Sequence, residues 1–191
     1  MEKPVYISPI SQFNIDKVRL IRHELGLSQR AVSRFLNPDT DTNILGNIES
    51  RRNPAGYNDH HLNTLAVAFT EHAKRLLEEM NEEQVANTNI KSEYTIHDFY
   101  PDKPLSDVPK VKTKVELPEG ISLTGTLNVV LESHHFLDNP RTTREITDYF
   151  NLLNGKDWKT NNLTSTLDFA VKKGKLQKIE HPDGSVQYKK F

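Results

Sequence analysis

Residues 29–54 read QRAVSRFLNPDTDTNILGNIESRRNP, and this stretch decides the fold. Apolar residues recur in it at helical spacing on both sides of a proline-bearing segment, and these are Val32, Phe35, Leu36, Leu45 and Ile48. Such spacing is typical of helices with one buried face. The Asn-Pro-Asp segment at 37–39 is a turn signal. Residues 29–54 therefore predict two short amphipathic helices joined by a tight connection.

Helices are also predicted on both sides of this pair. Residues 14–25 carry an apolar stripe, and Gly26 stands where helices commonly end. Each of the next three predicted helices follows a residue that can cap it, and these residues are Ser28, Asp41 and Asn58 or Asp59. The helical pattern after Asn58 continues or restarts to about residue 83. We therefore predict an N-terminal domain of four to five helices over residues 13–83.

The composition changes after this domain. Residues 84–110 are polar, acidic and proline-bearing, so we predict an inter-domain segment with at most one strand, at 94–96. Residues 110–117 alternate in polarity, which predicts a half-exposed strand. The lysines on its exposed face are Lys110, Lys112 and Lys114.

Residues 111–191 predict a second domain, of the α+β type. Three apolar stripes at helical spacing come first, with Thr142 or Thr143 placed to cap the middle helix. Two strands follow, on either side of His-Pro-Asp-Gly at 181–184, and the Asp-Gly pair favours a hairpin turn. The chain as a whole is therefore predicted to be mainly α.

The composition limits the function classes. The chain has 191 residues, 35% of them apolar, and a formal net charge of −1, which suits one or two small domains. It has no cysteine, which excludes a disulfide framework, a thiolate zinc site and a cysteine nucleophile. No signal pattern opens the sequence, and no run reaches the roughly 20 apolar residues of a membrane helix. We therefore expect a cytoplasmic protein without membrane contact.

The order of elements in residues 15–69 resembles the helix-turn-helix of the Cro and phage-repressor type. The residues that carry the resemblance are Arg22, Gly26-Leu27-Ser28-Gln29, Val32-Ser33, Leu45, Ile48-Glu49, Arg52-Asn53-Pro54 and Leu65. The chain departs from the family in a connection about two residues longer, in Ser33 at a position that is normally alanine, and in Ser50-Arg51 where a glycine often follows the glutamate. The resemblance implies a second helix that enters the major groove of double-stranded DNA.

Two kinds of DNA contact follow from this resemblance. Counted from the predicted cap Asp41, the residues that would read base edges are Thr42, Asn43 and Asn47. Because Leu45 and Ile48 must face the core, positions 43 and 47 share the exposed face, and asparagine can pair with adenine. The residues that would hold the phosphate backbone are Ser28, Gln29, Arg51, Arg52 and Asn53. Arg22 and Glu49 are predicted instead to form an ion pair between helices.

The C-terminal sequence, three helices and a Gly-turned hairpin, looks like a winged helix over residues 124–191, with 111–117 as a possible further strand. In that family the third helix enters the groove and the wing touches the backbone. The resemblance nominates a second DNA-binding or interaction surface made of Lys159, Asn161, Asn162, Thr164, Ser165, Lys178, Lys189 and Lys190. Winged helices also serve as dimerisation or protein-binding modules.

The sequence favours a DNA-binding transcriptional regulator that works as a homodimer, by binding and not by catalysis. The alternative is a protein-interaction module, antitoxin-like or adaptor, which the acidic segment 71–83 would favour if it lay against a basic partner. No cofactor is expected. A metal site is not expected either, because the adjacent pairs His60-His61 and His134-His135 point about 100° apart in a helix. Nucleophile motifs and phosphate-binding glycine loops are absent from the sequence.

Overall fold

The computed structural model describes residues 3–39, 42–115 and 117–191. Over these residues the chain is mainly α, as predicted, with eight α-helices and two small sheets. In the same ranges, every helix is too short or too polar to cross a lipid bilayer. The first half of the chain, up to residue 111, contains β1 (Tyr6–Ile7), α1 (Pro9–Glu24), α2 (Gln29–Leu36), α3 (Ile44–Glu49), α4 (Asp59–Glu79), α5 (Glu82–Ala86), a 3-10 helix (Ile96–Phe99) and β2 (Lys110–Val111).

The first helix begins earlier than the predicted residue 14. Pro9 occupies its first turn, where the missing N–H of proline costs nothing, and the Ser8 hydroxyl accepts a hydrogen bond from the Ser11 amide at 3.2 Å. The helix ends as predicted, with Gly26 in the left-handed region at φ +63°. The predicted caps Ser28 and Asn58 are confirmed, since each side chain accepts an N-terminal amide of its helix.

The strand predicted at 94–96 is wrong, because this segment packs as irregular chain on the first core. The Tyr94 amide donates to the Thr70 hydroxyl at 2.8 Å instead of to a strand neighbour. Tyr94 and Phe99 are both buried, and their rings lie beside Phe69 of α4. The acidic, proline-bearing segment thus supplies part of the core of the first half.

The lysine alternation predicted over 110–117 also fails. The strand covers Lys110–Val111 and pairs antiparallel with β1 through Tyr6 opposite Val111. Lys110 and Lys114 are exposed, whereas Lys112 is only 2% exposed and turns into the first half. Strand β2 therefore extends the N-terminal half and adds nothing to the C-terminal sheet, where a further strand seemed possible.

The second half contains α6 (Leu123–Ser133), a 3-10 helix (Phe136–Asp138), β3 (Arg141–Thr142), α7 (Thr143–Asn154), α8 (Thr160–Lys172), β4 (Leu176–Glu180) and β5 (Val186–Lys190). Its antiparallel sheet has the order β3-β5-β4. The predicted Thr142 cap is confirmed and forms a capping box with Glu145. The predicted hairpin is confirmed too, and Gly184 takes a φ of +82° in its turn.

The two halves have separate core clusters but share a buried polar interface. Helix α1 packs on α6, and Phe169 of α8 belongs to the core cluster of the first half. Arg22, which is 0% exposed, donates to Glu49 at 3.2 Å and to the Leu27 carbonyl at 3.0 Å. Its Nη2 also donates to Glu132 of α6 at 3.0 Å. The predicted pairing of Arg22 with Glu49 is thus confirmed, with a third helix joined to it.

Replacing Arg22 with methionine should destabilise the whole chain. Glu49 would stay buried without a cation, and loss of one partner of a buried ion pair costs about 3–5 kcal/mol. Urea denaturation measures this as a fall in the free energy of unfolding. Arg144→Met, on the exposed surface of α7, is the matched control and should change stability by less than about 0.5 kcal/mol. Equal effects of the two substitutions would contradict the role of Arg22.

Candidate nucleic-acid interface

Helices α2 and α3 are fixed to each other by polar groups as well as by Leu45 and Ile48, which are buried as predicted. Ser33 is 3% exposed, and its hydroxyl accepts from the Leu45 amide at 3.0 Å while donating to Asn43 Oδ1 at 3.2 Å. Ser33 therefore ties the start of α3 to the middle of α2. This hydrogen bond fixes the orientation of the short third helix.

Asn43 has a structural role that the sequence did not indicate. It caps α3, because its Oδ1 accepts from the Gly46 amide at 2.8 Å as well as from Ser33. The predicted cap, Asp41, lies outside the described residues. The Asn43 amide oxygen is the acceptor that a bidentate contact with adenine would need. The capping role engages that acceptor, so we withdraw Asn43 from the predicted base-reading residues.

Thr42 and Asn47 are the remaining predicted base-reading residues, and both are exposed. Asn47 lies on the face of α3 opposite to the buried Leu45 and Ile48. Thr42 precedes the helix, and its carbonyl accepts from the Ile44 amide at 2.9 Å. A hydroxyl and an amide are therefore available to a ligand at the start and on the outer face of α3.

A basic groove lies next to this face. We use the term basic groove for the hollow lined by Gln29, Gly46, Glu49, Ser50, Arg51, Arg52 and Lys114. Arg51, Arg52 and Lys114 are exposed cations, whereas Glu49 is 2% exposed and is engaged by Arg22. An adjoining hollow joins Arg51 and Arg52 to Lys3. Among the described residues that line the groove, the exposed charges are therefore positive, and the one carboxylate, that of Glu49, is buried and paired.

Lys114 and Lys3 were not predicted as part of this site. Both reach it through the β1–β2 pairing, in which residues distant in sequence become neighbours. The Thr113 amide donates to Gln12 Oε1 at 3.0 Å and fixes the chain beside α1. The alternating lysines of 110–117 were a visible signal of basic surface, but the sequence did not indicate which half they join.

The predicted phosphate ligands differ in how far they are already engaged. Gln29 Nε2 donates to Glu49 at 2.6 Å, Ser28 caps α2, and Asn53 Oδ1 accepts from the Ala55 amide at 2.9 Å. Arg51 and Arg52 follow the end of α3 and are exposed. Phosphate contact stays a prediction for all five residues, of which only Arg51 and Arg52 carry a charge.

Lys112 holds the loop that carries these arginines. Its ammonium donates to three backbone carbonyls, those of Ile48 at 2.6 Å, Asn53 at 2.7 Å and Ala55 at 2.8 Å. Burial lowers the pKa of Lys112, yet three strong acceptors surround the charge. The lysine thus joins the C-terminal end of α3 to both sides of the turn, and it fixes where Arg51 and Arg52 emerge.

The second predicted surface, on α8 and the hairpin, is only partly available. Ser165 is buried against α5, since its hydroxyl accepts from Asn87 Nδ2 at 3.3 Å and its carbonyl accepts from Gln84. The Asn162 carbonyl also accepts from Asn87. The exposed positions that remain on this helix and its cap are Lys159, Asn161, Asn162 and Thr164. Helix α8 therefore uses one face to join the two halves.

The basic character of the hairpin is weaker than the sequence indicates. Lys178 lies 3.6 Å from carboxylate oxygens of both Asp168 and Glu180. Lys189 and Lys190 are half-buried. Lys175, which the sequence places on the same basic hairpin, points back to Gly26 of the first half at 3.2 Å. Carboxylates therefore balance the charge of Lys178, and Lys175 directs its charge away from this surface.

The chain was compared with protein-family profiles, curated proteins and solved structures, and none of the three comparisons finds a match. Function must therefore be argued from the residues. Within residues 3–39, 42–115 and 117–191, no three histidine, aspartate or glutamate side chains are grouped to hold a metal ion.

Replacing Lys112 with methionine should loosen the arginine loop. Three buried or partly buried carbonyls would lose their donor, which we expect to lower the free energy of unfolding by about 2–4 kcal/mol. Native-state hydrogen exchange should accelerate at the Arg52 and Ala55 amides, which are hydrogen-bonded within this loop. Lys110→Met, on exposed β2, is the control and should leave both measurements unchanged. Unaltered exchange at Arg52 and Ala55 in the Lys112 variant would contradict its role.

Proposed function

We propose that the chain is a DNA-binding transcriptional regulator that reads the major groove of double-stranded DNA with α3. The observation that carries the proposal is the exposed Asn47 on α3 beside a groove whose exposed charges, Arg51, Arg52 and Lys114, are all positive. An amide on a short helix can read base edges, and flanking cations can hold phosphates. The mechanism is binding, without catalysis.

The arrangement of elements supports this proposal. Helix α2, a connection and α3 are packed together by Leu45, Ile48 and the Ser33 hydrogen bonds, in the order expected of a repressor-like helix-turn-helix. In the second half, the order helix, strand, helix, helix and two strands is that of a winged helix. These fold assignments are part of the proposal, and the arrangement of the residues supports them.

The two classes of contact have separate residues. Asn47 and Thr42 are proposed to touch bases, and they lie on or next to the recognition helix. Arg51, Arg52 and Lys114 are proposed to touch phosphates on one side of that helix. Because Arg22 and Gln29 engage Glu49, the carboxylate at the edge of the groove opposes a phosphate less than an unpaired glutamate would.

We propose that the second half supports the contacts of α3 with DNA and does not bind a second DNA segment. Asp168 lies on α8 among the residues that would face a groove, and it lies near Lys178. A carboxylate at that position would repel phosphates. We keep the homodimer as part of the proposal, because regulators of this type bind paired half-sites.

The protein-interaction alternative loses part of its support. The acidic segment 71–83 would favour this alternative if the segment lay against a basic partner. Lys173 of α8 forms an ion pair with Glu79, and Lys172 donates to the Glu79 carbonyl at 3.4 Å. The acidic segment therefore already has basic neighbours within the chain, at its C-terminal end.

Asn47→Ala tests the base-reading role. Loss of a bidentate contact should weaken specific binding by about 1–3 kcal/mol and relax the base preference at one position of the site. The preferred site is first selected from random DNA with the purified protein, and affinities follow from fluorescence anisotropy. Asn63→Ala, on the exposed face of α4, is the control. Unchanged affinity and site preference in the Asn47 variant would reject α3 as the recognition helix.

The salt dependence of binding tests the basic groove. Changing Arg51 and Arg52 together to alanine should weaken binding to all sequences about equally. It should also make the slope of log affinity against log salt shallower by roughly two, because about one counterion is released for each phosphate neutralised. Lys114→Ala should reduce the slope by roughly one more. The control is Lys156→Ala, at an exposed position of the second half. A variant that loses specificity and keeps its slope would exclude phosphate contact.

A further inference from the structure

A cavity of about 170 Å³ lies between the two halves. The residues around it come from α1, α4, α6, α8 and the chain after α8. Its apolar walls include Leu76, Met80, Leu127 and Phe169. Cavities of this order hold a single small ring in other proteins. The hollow therefore has the size and lining for a compact apolar group, and the proposed contacts with DNA use none of it.

Lys175 gives this cavity an unusual charge. Its ammonium donates to Asn128 Oδ1 at 2.9 Å and to the Gly26 carbonyl at 3.2 Å, which are both neutral acceptors. In the described part of the chain no carboxylate forms an ion pair with it. Burial lowers the pKa of Lys175 to about 8, with the neighbouring Lys173 contributing. Lys175 is half-buried, and a cation that has lost part of its hydration without gaining a counter-charge is stabilised by an anion.

The carboxylate and the second lysine that line the cavity are already engaged. Glu24 lines the cavity, but its oxygens accept from the Ser122 amide at 2.8 Å, the Ser122 hydroxyl at 2.5 Å and the Asn89 amide at 3.2 Å. Lys173 is paired with Glu79. Lys175 therefore differs from both groups, because its contacts in the described residues are with neutral acceptors.

An independent sign of a ligand comes from Thr166. This residue of α8 lines the cavity and is 3% exposed, and its hydroxyl oxygen has no hydrogen-bond partner among the described residues. Buried hydroxyls are usually satisfied. Lys175 also lines a second hollow of about 290 Å³, beside Leu27 and Leu131, so the ammonium can be approached from two sides.

We propose that this cavity binds a small monocarboxylate with a compact apolar body, such as a single aromatic ring. The carboxylate pairs with the Lys175 ammonium and accepts from the Thr166 hydroxyl, and the ring packs on Leu76, Leu127 and Phe169. The proposal does not depend on DNA binding, because all of its groups lie away from the basic groove. The ligand contacts both halves and so holds them together.

Benzoate is the probe, and benzyl alcohol is its neutral counterpart with the same ring. Calorimetric titration of the full chain should show benzoate binding at least about tenfold more tightly than benzyl alcohol, the usual effect of a charged partner in a buried site. Amide chemical shifts should move at Gly26 and Thr166. No binding of benzoate, or equal binding of the two probes, would overturn the proposal.

Two variants locate the site. Lys175→Met should weaken benzoate binding at least about tenfold, and Lys156→Met, at an exposed lysine, should leave it unchanged. Thr166→Val removes only the unpartnered hydroxyl and keeps the side-chain shape, so it should fold and should weaken benzoate about threefold or more. If Lys175→Met does not fold, the benzoate affinity of Thr166→Val tests the proposal. Full affinity in a folded Lys175 variant, or in the Thr166 variant, would refute the assignment.

Discussion

The rest of the structure depends on the ion pairs that the buried Arg22 guanidinium forms. Arg22 lies at the end of α1, is fully buried, and donates to Glu49 of α3 and Glu132 of α6. One planar cation thereby fixes α3 to α1 and the first half to the second. Arginine suits this position because its donors are held in a rigid fork and its charge persists on burial. The neighbouring His23 stays neutral, since burial lowers its pKa to about 2, so it adds no second charge to the network.

Two lysines also direct their charged groups to acceptors within the chain. Lys112 is buried and Lys175 is half-buried, and their ammonium groups donate to backbone carbonyls or to an amide oxygen. The environments of the two lysines differ in one respect. Lys112 has three acceptors at short range, whereas Lys175 has two and adjoins open space. This difference is why we regard Lys112 as a structural residue and Lys175 as half of an incomplete pair.

Local features of the sequence could be predicted well. Caps at Ser28, Asn58 and Thr142, the end of α1 at Gly26 and the hairpin at Asp183-Gly184 depend on a few adjacent residues, and the structure bears them out. Apolar spacing likewise identified the inward faces of the helices. These features follow from side chains that act on their own backbone or on neighbours one turn away.

The errors concern contacts between residues far apart in sequence. Alternation placed Lys112 on the exposed face, but the acceptors that bury it come from residues 48–55. Tyr94 was expected in a strand, but Thr70 and Phe69 hold it against α4. The cap at Asn43 was missed: its Oδ1 accepts from the Gly46 amide and also from the Ser33 hydroxyl, which lies ten residues earlier. Patterns of polarity indicate which side chains prefer water. They do not show when an acceptor from a distant part of the chain takes the place of that water.

The ring of carbonyls around Lys112 has a consequence for the speed and strength of association. The turn that presents Arg51 and Arg52 has its shape before any polyanion arrives, so binding need not order it. Less chain entropy is then lost on complex formation. Under the proposed function, encounter with DNA does not wait for a rearrangement of this loop, and differences among target sequences should be expressed mainly as residence time on the DNA.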